Sequence, residues 1–269
     1  MIRTRIGAID LVALVDTVAG YPAGNVYPQA GDAITAYSGF LDGDGNVVLN
    51  FGCFLLRDGP TTLLVDAGWG PEFKGRLLDE LAEAGVAPAE VDIVLFTHLH
   101  GDHTGWNLDR ATGKPVFANA RYLVPGADWA HYSTSDPQPA SFTRDVLPLL
   151  DAGVMELVDG ERTISPGITA VPTPGHTPGH TSATVISGGE RGYILGDVVI
   201  SPIDLAEPDW PNAFDWDNDI ARATRHRVLD QLAPTTLVGA SHLPAPGLGY
   251  FGSSNGKRAW QPYDPAASS

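Results

Sequence analysis

The chain has 269 residues, of which 43% are apolar, and it carries a formal net charge of −16 at pH 7. That length and apolar content are sufficient for one large domain with a substantial core. The negative charge argues against binding to nucleic-acid phosphates or anionic membranes, which require a basic surface. The only cysteine, Cys53, excludes a disulfide framework, and its apolar neighbours indicate a buried side chain rather than a nucleophile.

The same sequence shows no apolar run long enough to span a bilayer. Its N-terminus lacks the apolar core and the small-residue cleavage site of a signal peptide, so a cytoplasmic protein is expected. No linker-like change of composition, low-complexity tract or close repeat divides the chain. Residues 1–269 are therefore interpreted as a single domain.

The first half of the chain is predicted to contain strands and one helix. Alternating or continuous apolar runs predict strands over residues 6–16, 48–56, 61–65 and 91–97. A helix is predicted over residues 71–84, because Pro71 suits a first turn and Gly85 suits a left-handed cap. The apolar stripe of this helix comprises Phe73, Leu77, Leu78 and Leu81.

In the second half, short apolar runs predict strands over residues 121–124, 154–158, 168–171, 182–186, 193–195 and 236–239. Helices are predicted over residues 141–150 and 218–232, the second with Asp217 as its N-cap. The buried stripe of the second helix comprises Ile220, Ala221, Thr224, Val228, Leu229 and Leu232. Its basic residues, Arg222, Arg225 and Arg227, are assigned to the solvent face.

Two long segments have no clear period. Residues 20–46 are rich in Gly, Pro, Tyr and Ala, and residues 201–216 are rich in Pro, Trp and Asp. Long irregular segments inside a compact domain are usually functional or mobile, so both are expected to lie near an active site. Residues 20–46 are interpreted as a lid or a dimer contact, with a merely permissive surface loop as the alternative.

A dense cluster of metal-ligand side chains follows the apolar run Ile93-Val94-Leu95-Phe96. The cluster comprises His98, His100, Asp102 and His103. Imidazole and carboxylate are ligands that zinc, iron and manganese accept, and a strand end leaves such side chains open to a ligand. Three other predicted strands also end in candidate ligands, namely His176 or His180, Asp197, and His242. This recurrence predicts a metal site.

These motifs together resemble the metallo-β-lactamase fold hydrolases. The resemblance is carried by His98-x-His100-x-Asp102-His103, Thr173-Pro174-Gly175-His176-Thr177, Gly196-Asp197 and the late strand-end His242. Asp66-Ala67-Gly68 also resembles the structural aspartate turn of that fold. The resemblance implies an α/β protein with a four-layer αββα sandwich and a dinuclear metal site at one edge of the sheets.

The resemblance also implies a ligand set. His98, His100 and His176 would bind one ion, Asp102, His103 and His242 would bind the second, and Asp197 would bridge them. It selects His176 over His180, a choice that the residues alone leave open. Asp66 and His180 would then orient the ligands through hydrogen bonds. Two divalent ions are expected, with zinc first and manganese, iron or cobalt also suitable.

The implied reaction is hydrolysis by a hydroxide that bridges two metal ions, with Asp102 orienting the nucleophile. The chain is most similar to the methyl parathion hydrolase-like and acyl-homoserine lactonase-like branches, and a homodimer is expected from that resemblance. A small uncharged ester or lactone is the expected substrate. The alternatives are hydrolysis of an organophosphate triester and a non-catalytic metal-binding or sensor role.

The expected substrate pocket comes from loops that flank the motifs. Ile200 stands where the lactonases typically place a tyrosine, which puts efficient cleavage of homoserine lactones in question. Trp69, Trp106 and Trp210 are expected to line the pocket with it. Phe214 and Trp216 lie in the same loops, and anchoring of the loops is the alternative role for each of these aromatic residues.

Overall fold

Two seven-stranded sheets are present in the computed structural model, which describes residues 1–268. The first sheet contains, in chain order, β1 (Ile2–Ile6), β2 (Ile9–Pro22), β3 (Asn46–Asp58), β4 (Thr61–Val65), β5 (Ile93–Leu95), β6 (Arg121–Pro125) and β7 (Met155–Val158). The second contains β8 (Arg162–Ser165), β9 (Ile168–Pro172), β10 (Thr181–Ser187), β11 (Glu190–Ile194), β12 (Leu237–Gly239), β13 (Leu248–Ser254) and β14 (Lys257–Pro262).

The helices lie outside the sheets. They are α1 (Ala23–Val26), α2 (Leu77–Glu83), α3 (Gly101–Thr104), α4 (Gly126–Ser133), α5 (Leu147–Asp151), α6 (Pro202–Ala206) and α7 (Asn218–Gln231). A π-helical turn, Phe142–Val146, leads into α5. Shorter 3-10 segments occur at Gly31–Phe40, Pro71–Phe73, Pro88–Glu90, Gly196–Val198 and Pro265–Ser268. Among residues 1–268, no helix has the length and hydropathy needed to cross a membrane.

The central strands of the first sheet are buried on both faces. In β4, Leu63 and Val65 belong to the core between the two sheets, whereas Leu64 faces the helices on the other side. The period of two along a strand explains this division, because successive side chains point to opposite faces. Residues of α7 cover the outer face of the second sheet in the same way. These layers confirm the predicted αββα sandwich.

The sheet topology brings the candidate ligands to one edge. Strands β4 and β5 are parallel, so the segments that follow them, with Asp66 and His98, leave the sheet side by side. Strands β11 and β12 are also parallel, which places Asp197 beside His242. Gly196 has φ +60°, and a Cβ there would lie 2.7 Å from His180 Nε2 and 2.8 Å from Thr97 Cβ. A glycine is therefore required directly before Asp197.

The predicted helix over residues 71–84 is wrong in its first half. Only α2 is α-helical, and Phe73 is 43% exposed instead of lying on a buried stripe. The cause is Asp16, whose carboxylate accepts the backbone N–H groups of Trp69, Gly70 and Leu77. These bonds hold the chain in a loop until Leu77, where the helix begins.

Other boundaries also differ from the prediction. The strand predicted over residues 6–16 corresponds to β2, which begins at Ile9 after a turn at Gly7 with φ +57°, and the preceding strand β1, which pairs with it, was not predicted. The irregular segments, residues 20–46 and 201–216, are partly ordered, since β2 continues to Pro22 before α1 and the second segment contains α6. Strands β8, β13 and β14 and helix α4 were not predicted.

The assignment of faces on α7 needs one correction. Arg225, expected at the solvent face, is 1% exposed, whereas Ile220, expected in the buried stripe, is 38% exposed. Asp217 caps the helix as predicted, accepting the N–H groups of Asp219 and Ile220. A buried arginine needs partners for its charge and its donors, and these partners lie next to the site described below.

Candidate metal centre

Three imidazoles from two loops converge at the edge of the sheets. His98 Nε2 and His176 Nε2 lie 3.1 Å and 3.0 Å from His100 Nδ1. Nitrogen ligands about 2.0–2.1 Å from one tetrahedral ion lie about 3.3 Å from each other. The spacing of these three nitrogen atoms is therefore close to that required to coordinate a single ion.

The partners of the outer ring nitrogens fix which nitrogen carries the proton. His176 Nδ1 lies 3.0 Å from the Asp215 carboxylate, to which it donates. His98 Nδ1 donates to Thr97 Oγ1 at 3.0 Å, since that hydroxyl gives its own proton to Asp66. The Nε2 lone pairs of both rings therefore face His100. Only one of them can accept a proton from His100 Nδ1, and a cation would satisfy all three nitrogens.

A second group lies directly beside the first. His103 Nε2 and His242 Nε2 are each 3.4 Å from Asp102 Oδ2. The outer nitrogens of these rings donate elsewhere, from His103 Nδ1 to Asp66 at 2.8 Å and from His242 Nδ1 to the Asn50 carbonyl at 2.7 Å. Two imidazole Nε2 atoms and a carboxylate thus point at one place, which suits a second ion once the Nε2 atoms are deprotonated.

Asp197 lies between the two groups. Its Oδ2 atom is 2.9 Å from His242 Nε2 and 3.5 Å from His103 Nε2. The same oxygen is 3.3 Å from His176 Nε2 and 3.7 Å from His98 Nε2. One carboxylate therefore faces both groups.

Two buried atoms at the centre of the cluster have no hydrogen-bond partner within residues 1–268. They are His103 Nε2 and Asp197 Oδ1. Buried polar atoms are normally paired, and an unpaired one indicates that a bound group, such as a cation, contacts it. The donor set, the facing lone pairs and these two unpaired atoms all fit a pair of divalent cations.

The two groups of proposed ligands differ in the direction in which their surroundings shift the pKa of their histidines. Burial and the neighbouring His176 lower the pKa of His100 to about 3, and burial and the neighbouring His103 lower the pKa of His98 well below its usual value, so these two rings are neutral. Burial also lowers the pKa of His242, but Asp197 and Asp102 raise it by more, to about 10. For Asp197, burial raises the pKa, but His242 and His103 lower it well below its usual range. The second group therefore attracts positive charge, which a cation supplies when it replaces protons.

Asp66 supports both groups from behind. It adopts φ +64°, a conformation that is uncommon outside glycine. Its carboxylate accepts the backbone N–H and the hydroxyl of Thr97 at 2.7 Å and 2.8 Å, in addition to His103 Nδ1. Asp66 thus contacts His103 and the residue directly before His98, and its role in orienting the proposed ligands stays a prediction.

His180 points away from the facing lone pairs. Its Nε2 accepts the backbone N–H of Asp197 at 2.9 Å, and its Nδ1 lies 2.8 Å from Thr173 Oγ1. Both ring nitrogens are therefore used inside the protein. This geometry supports the choice of His176 over His180 as a ligand.

Asp128, which was not singled out from the sequence, joins the two loops that carry the first group. It is fully buried at the start of α4. Its carboxylate accepts Leu99 N–H at 3.1 Å, Thr177 Oγ1–H at 2.9 Å and Gly179 N–H at 2.6 Å. A lone aspartate after an apolar strand carries no motif, so only the fold reveals its position.

An apolar cavity of about 110 Å³ opens above the cluster. Five proposed ligands line it, namely His100, Asp102, His176, Asp197 and His242. The remaining lining residues are Tyr21, Leu49, Phe51, Trp69, Ile200 and Phe214. Trp69 and Ile200, which the sequence analysis assigned to a substrate pocket, are among these lining residues. Leu49 and Phe51 were not predicted, because they lie in an ordinary strand pattern of β3, and Tyr21 was included only as part of the segment 20–46 that was expected near the site.

Two tryptophans predicted at the pocket lie elsewhere. The indole N–H of Trp106 donates to Asp16 at 2.7 Å, and the ring packs against the core under α2. Trp210 packs edge-on against Tyr27 and Tyr37, behind the lining of the cavity. Both rings anchor loops, which was the alternative considered for the aromatic residues.

Comparison with known proteins identifies relatives of the chain. Residues 53–242 match the model of the metallo-beta-lactamase superfamily. The metallo-beta-lactamase domain-containing protein 1 of Xenopus laevis is 33% identical over 166 residues, which are 58% of this chain and 60% of that protein. An N-acyl homoserine lactonase from a Bacillus species is 26% identical over 155 residues, 49% of this chain and 57% of that protein. The chain thus spans less than two thirds of the length of these curated relatives.

Two solved structures match almost the whole chain. AidC, a dizinc quorum-quenching lactonase in complex with the product N-hexanoyl-L-homoserine, has a TM-score of 0.84 and 25% identity, covering 97% of each chain. AbOPH, a hydrolase of the beta lactamase superfamily, has a TM-score of 0.84 and 26% identity, also covering 97% of each chain.

Proposed function

The chain belongs to the metallo-beta-lactamase superfamily, and on that premise we propose that it is a dinuclear metal-dependent hydrolase of small uncharged lactones or esters. The observation that carries the proposal is the position of Asp197 Oδ2, within 2.9–3.7 Å of four imidazole Nε2 atoms at the floor of an apolar cavity. Zinc is the proposed metal. The likeness to AidC, a dizinc lactonase, supports both proposals.

When bound, two divalent ions would activate a water molecule and polarise the carbonyl of the substrate. The chain supplies Asp102 beside them, 20% exposed and at the edge of the cavity. Burial raises the pKa of Asp102, but His103 and His242 lower it by more, so the group is a carboxylate at neutral pH. We propose that it orients the attacking water and accepts its proton.

The cavity favours an uncharged substrate. Within the described chain, its lining contains no lysine or arginine, so an anionic group on the substrate would find no counter-ion apart from the metals. The aromatic and aliphatic walls stabilise apolar groups by burial. This argues for an acyl or alkyl ester rather than a dicarboxylate or a nucleotide.

Tyr21 offers a hydrogen bond to the substrate. Its hydroxyl has no partner among residues 1–268, and its ring lines the cavity with an edge against Phe214 at 5.9 Å. Burial and the nearby Asp102 carboxylate raise the pKa of Tyr21, so it remains a protonated donor. We propose that it donates to the substrate carbonyl or to the leaving oxygen, where Ile200 provides no donor.

A phosphotriester is the second candidate substrate. It is also uncharged, and the same cation-free apolar lining would accept it. The attacking water and the Asp102 carboxylate would serve equally at phosphorus. A metal-binding protein without turnover is the alternative from another functional class.

A homodimer is also proposed, and light scattering during size-exclusion chromatography tests it.

The test is proton release by the zinc-loaded protein against acyl lactones, aryl esters and one phosphotriester. Asp197→Ala is measured beside it, with metal content determined for both proteins. Lactone or ester turnover that is absent in the variant supports the proposal. Turnover of the phosphotriester alone selects the second candidate. Two bound metals with no turnover on any substrate would favour the non-catalytic alternative.

A further inference from the structure

Arg225 is a buried cation that contacts several separate parts of the site. Its side chain is 2% exposed, although it comes from a helix whose other arginines face solvent. Its Nε donates to the Val198 carbonyl at 3.0 Å. Its Nη1 donates to the carbonyls of Pro208 and Trp210 at 2.9 Å and 3.3 Å, and its Nη2 donates to Asp215 at 3.1 Å.

Two of these contacts are made to residues that directly adjoin proposed ligands. Asp215 uses its other oxygen, Oδ1, to accept His176 Nδ1 at 3.0 Å. Val198 directly follows Asp197 in the chain. Arg225 therefore holds the aspartate that fixes the tautomer of one ligand and the carbonyl next to a second ligand.

The remaining contacts hold the wall of the cavity. Pro208 and Trp210 belong to residues 207–216, which carry the lining residue Phe214. The same segment bonds to the His176 loop, with Trp216 N–H donating to the His176 carbonyl at 3.0 Å. The cavity wall and the loop that presents His176 thus share Arg225 and Asp215 as supports.

We infer that Arg225 is a positioning residue that couples the binding of a metal ion at His98, His100 and His176 to the ordering of residues 207–216. The inference rests on the proposed function only in that an ion binds there. An ion at Nε2 of His176 requires the Nδ1–H tautomer that Asp215 selects. Coupling of this kind is reciprocal, so fixing His176 with metal also stabilises the Arg225 contacts to the wall.

Lysine cannot replace Arg225 in this role. The guanidinium reaches four carbonyl or carboxylate groups through three nitrogens in one plane, whereas an ammonium has one nitrogen. Arg225→Lys keeps the charge beside Asp215 and removes the planar set of donors. Arg222→Lys is the matched control, because Arg222 lies on the same helix and pairs only with the exposed Asp219 among the described residues.

The experiment measures zinc affinity and hydrogen exchange in the full chain. Zinc affinity is determined by competition with a chromophoric chelator. In the natural chain, zinc is expected to slow amide exchange in residues 207–216. Arg225→Lys should weaken zinc binding about 10–100-fold and reduce that protection, as expected for loss of an outer support of a ligand. Arg222→Lys should change neither quantity.

Asp215→Asn is a second variant of nearly the same shape, and it should weaken zinc binding in the same way. The inference is overturned if zinc leaves exchange of residues 207–216 unchanged in the natural chain, a measurement that needs no variant. It is also overturned if folded Arg225→Lys binds zinc as the natural chain does. Zinc binding with coupling but without turnover would leave this inference standing and contradict only the proposed hydrolysis.

Discussion

The proposed metal centre and the wall of the cavity above it are held by different forces. Each proposed ligand histidine except His100 uses its outer nitrogen in a hydrogen bond to a buried protein atom. The wall is held by aromatic packing, such as Trp69 stacked between Phe51 and Phe73 with ring centroids at 4.3 Å and 4.0 Å. Directional bonds tolerate little displacement, whereas packing tolerates replacement by a similar shape. Changes in the centre should therefore abolish the reaction, and changes in the wall should alter its efficiency.

The largest effect is expected from the centre itself. Asp197→Ala and His100→Ala should each lose metal and lower kcat/KM about 10³-fold or more, the scale observed when a central catalytic group is removed. Metal content by mass spectrometry and turnover of an aryl ester check both variants. Full activity in a variant without metal would show that the reaction does not use the centre.

A smaller effect is expected from Asp128, which supports the centre without belonging to it. Asp128→Ala leaves the buried N–H groups of Leu99 and Gly179 without an acceptor, each at a cost of about 1–3 kcal/mol. Zinc affinity should also fall about 10–100-fold. Urea denaturation and chelator competition measure the two quantities. The exposed Asp151→Ala is the control, and equal behaviour of both variants would contradict the role of Asp128.

Tyr21→Phe tests the one side chain of the cavity wall that is proposed to donate a hydrogen bond to the substrate. Loss of one hydrogen bond of about 1 kcal/mol in the transition state should lower kcat/KM about 5–10-fold. Metal content should not change. Tyr132→Phe is the matched control, because Tyr132 packs near His100 with ring centroids 6.3 Å apart but does not line the cavity. A Tyr21→Phe variant with unchanged kinetics would remove Tyr21 from the mechanism.

The smallest effect on catalysis is expected at Trp106. Trp106→Phe removes the hydrogen bond to Asp16 and should lower the free energy of unfolding by about 1–3 kcal/mol without changing KM. Trp69→Phe should raise KM a few-fold and leave the free energy of unfolding nearly unchanged, since Trp69 lines the cavity. Denaturation and steady-state kinetics on both variants decide whether the two tryptophans differ as their positions indicate.

The sequence was informative about the proposed metal centre because several of its ligands form short motifs directly after apolar strands. Two proposed ligands lie two residues apart after a continuous apolar strand, and parallel strands bring further strand ends to the same edge. Such features depend on spacing and on the period of strands, which can be assessed without coordinates. A metal site was therefore expected from the residues alone, whereas the αββα sandwich and the division of the ligands between two ions were implied by the family resemblance.

The outer supports and the wall could not be predicted in this way. Asp128 contacts residues 29 and 51 positions away, and Arg225 contacts a carbonyl 27 positions away. Their local patterns are those of an ordinary surface aspartate and a surface arginine. The prediction that Trp106 lines the pocket was wrong for the same reason, since Asp16, which accepts its indole N–H, lies 90 positions away. Long-range hydrogen bonds override local preference at these positions.

Burial of the single thiol has a practical consequence. Cys53 is 0% exposed, and burial raises its pKa well above the usual value, so thiol-directed reagents have no accessible target in the folded chain. A Phe73→Cys variant would offer such reagents one attachment point at the outer end of the Phe51–Trp69–Phe73 stack. A fluorophore attached there would lie next to Trp69, which lines the cavity, with no need to remove the native cysteine.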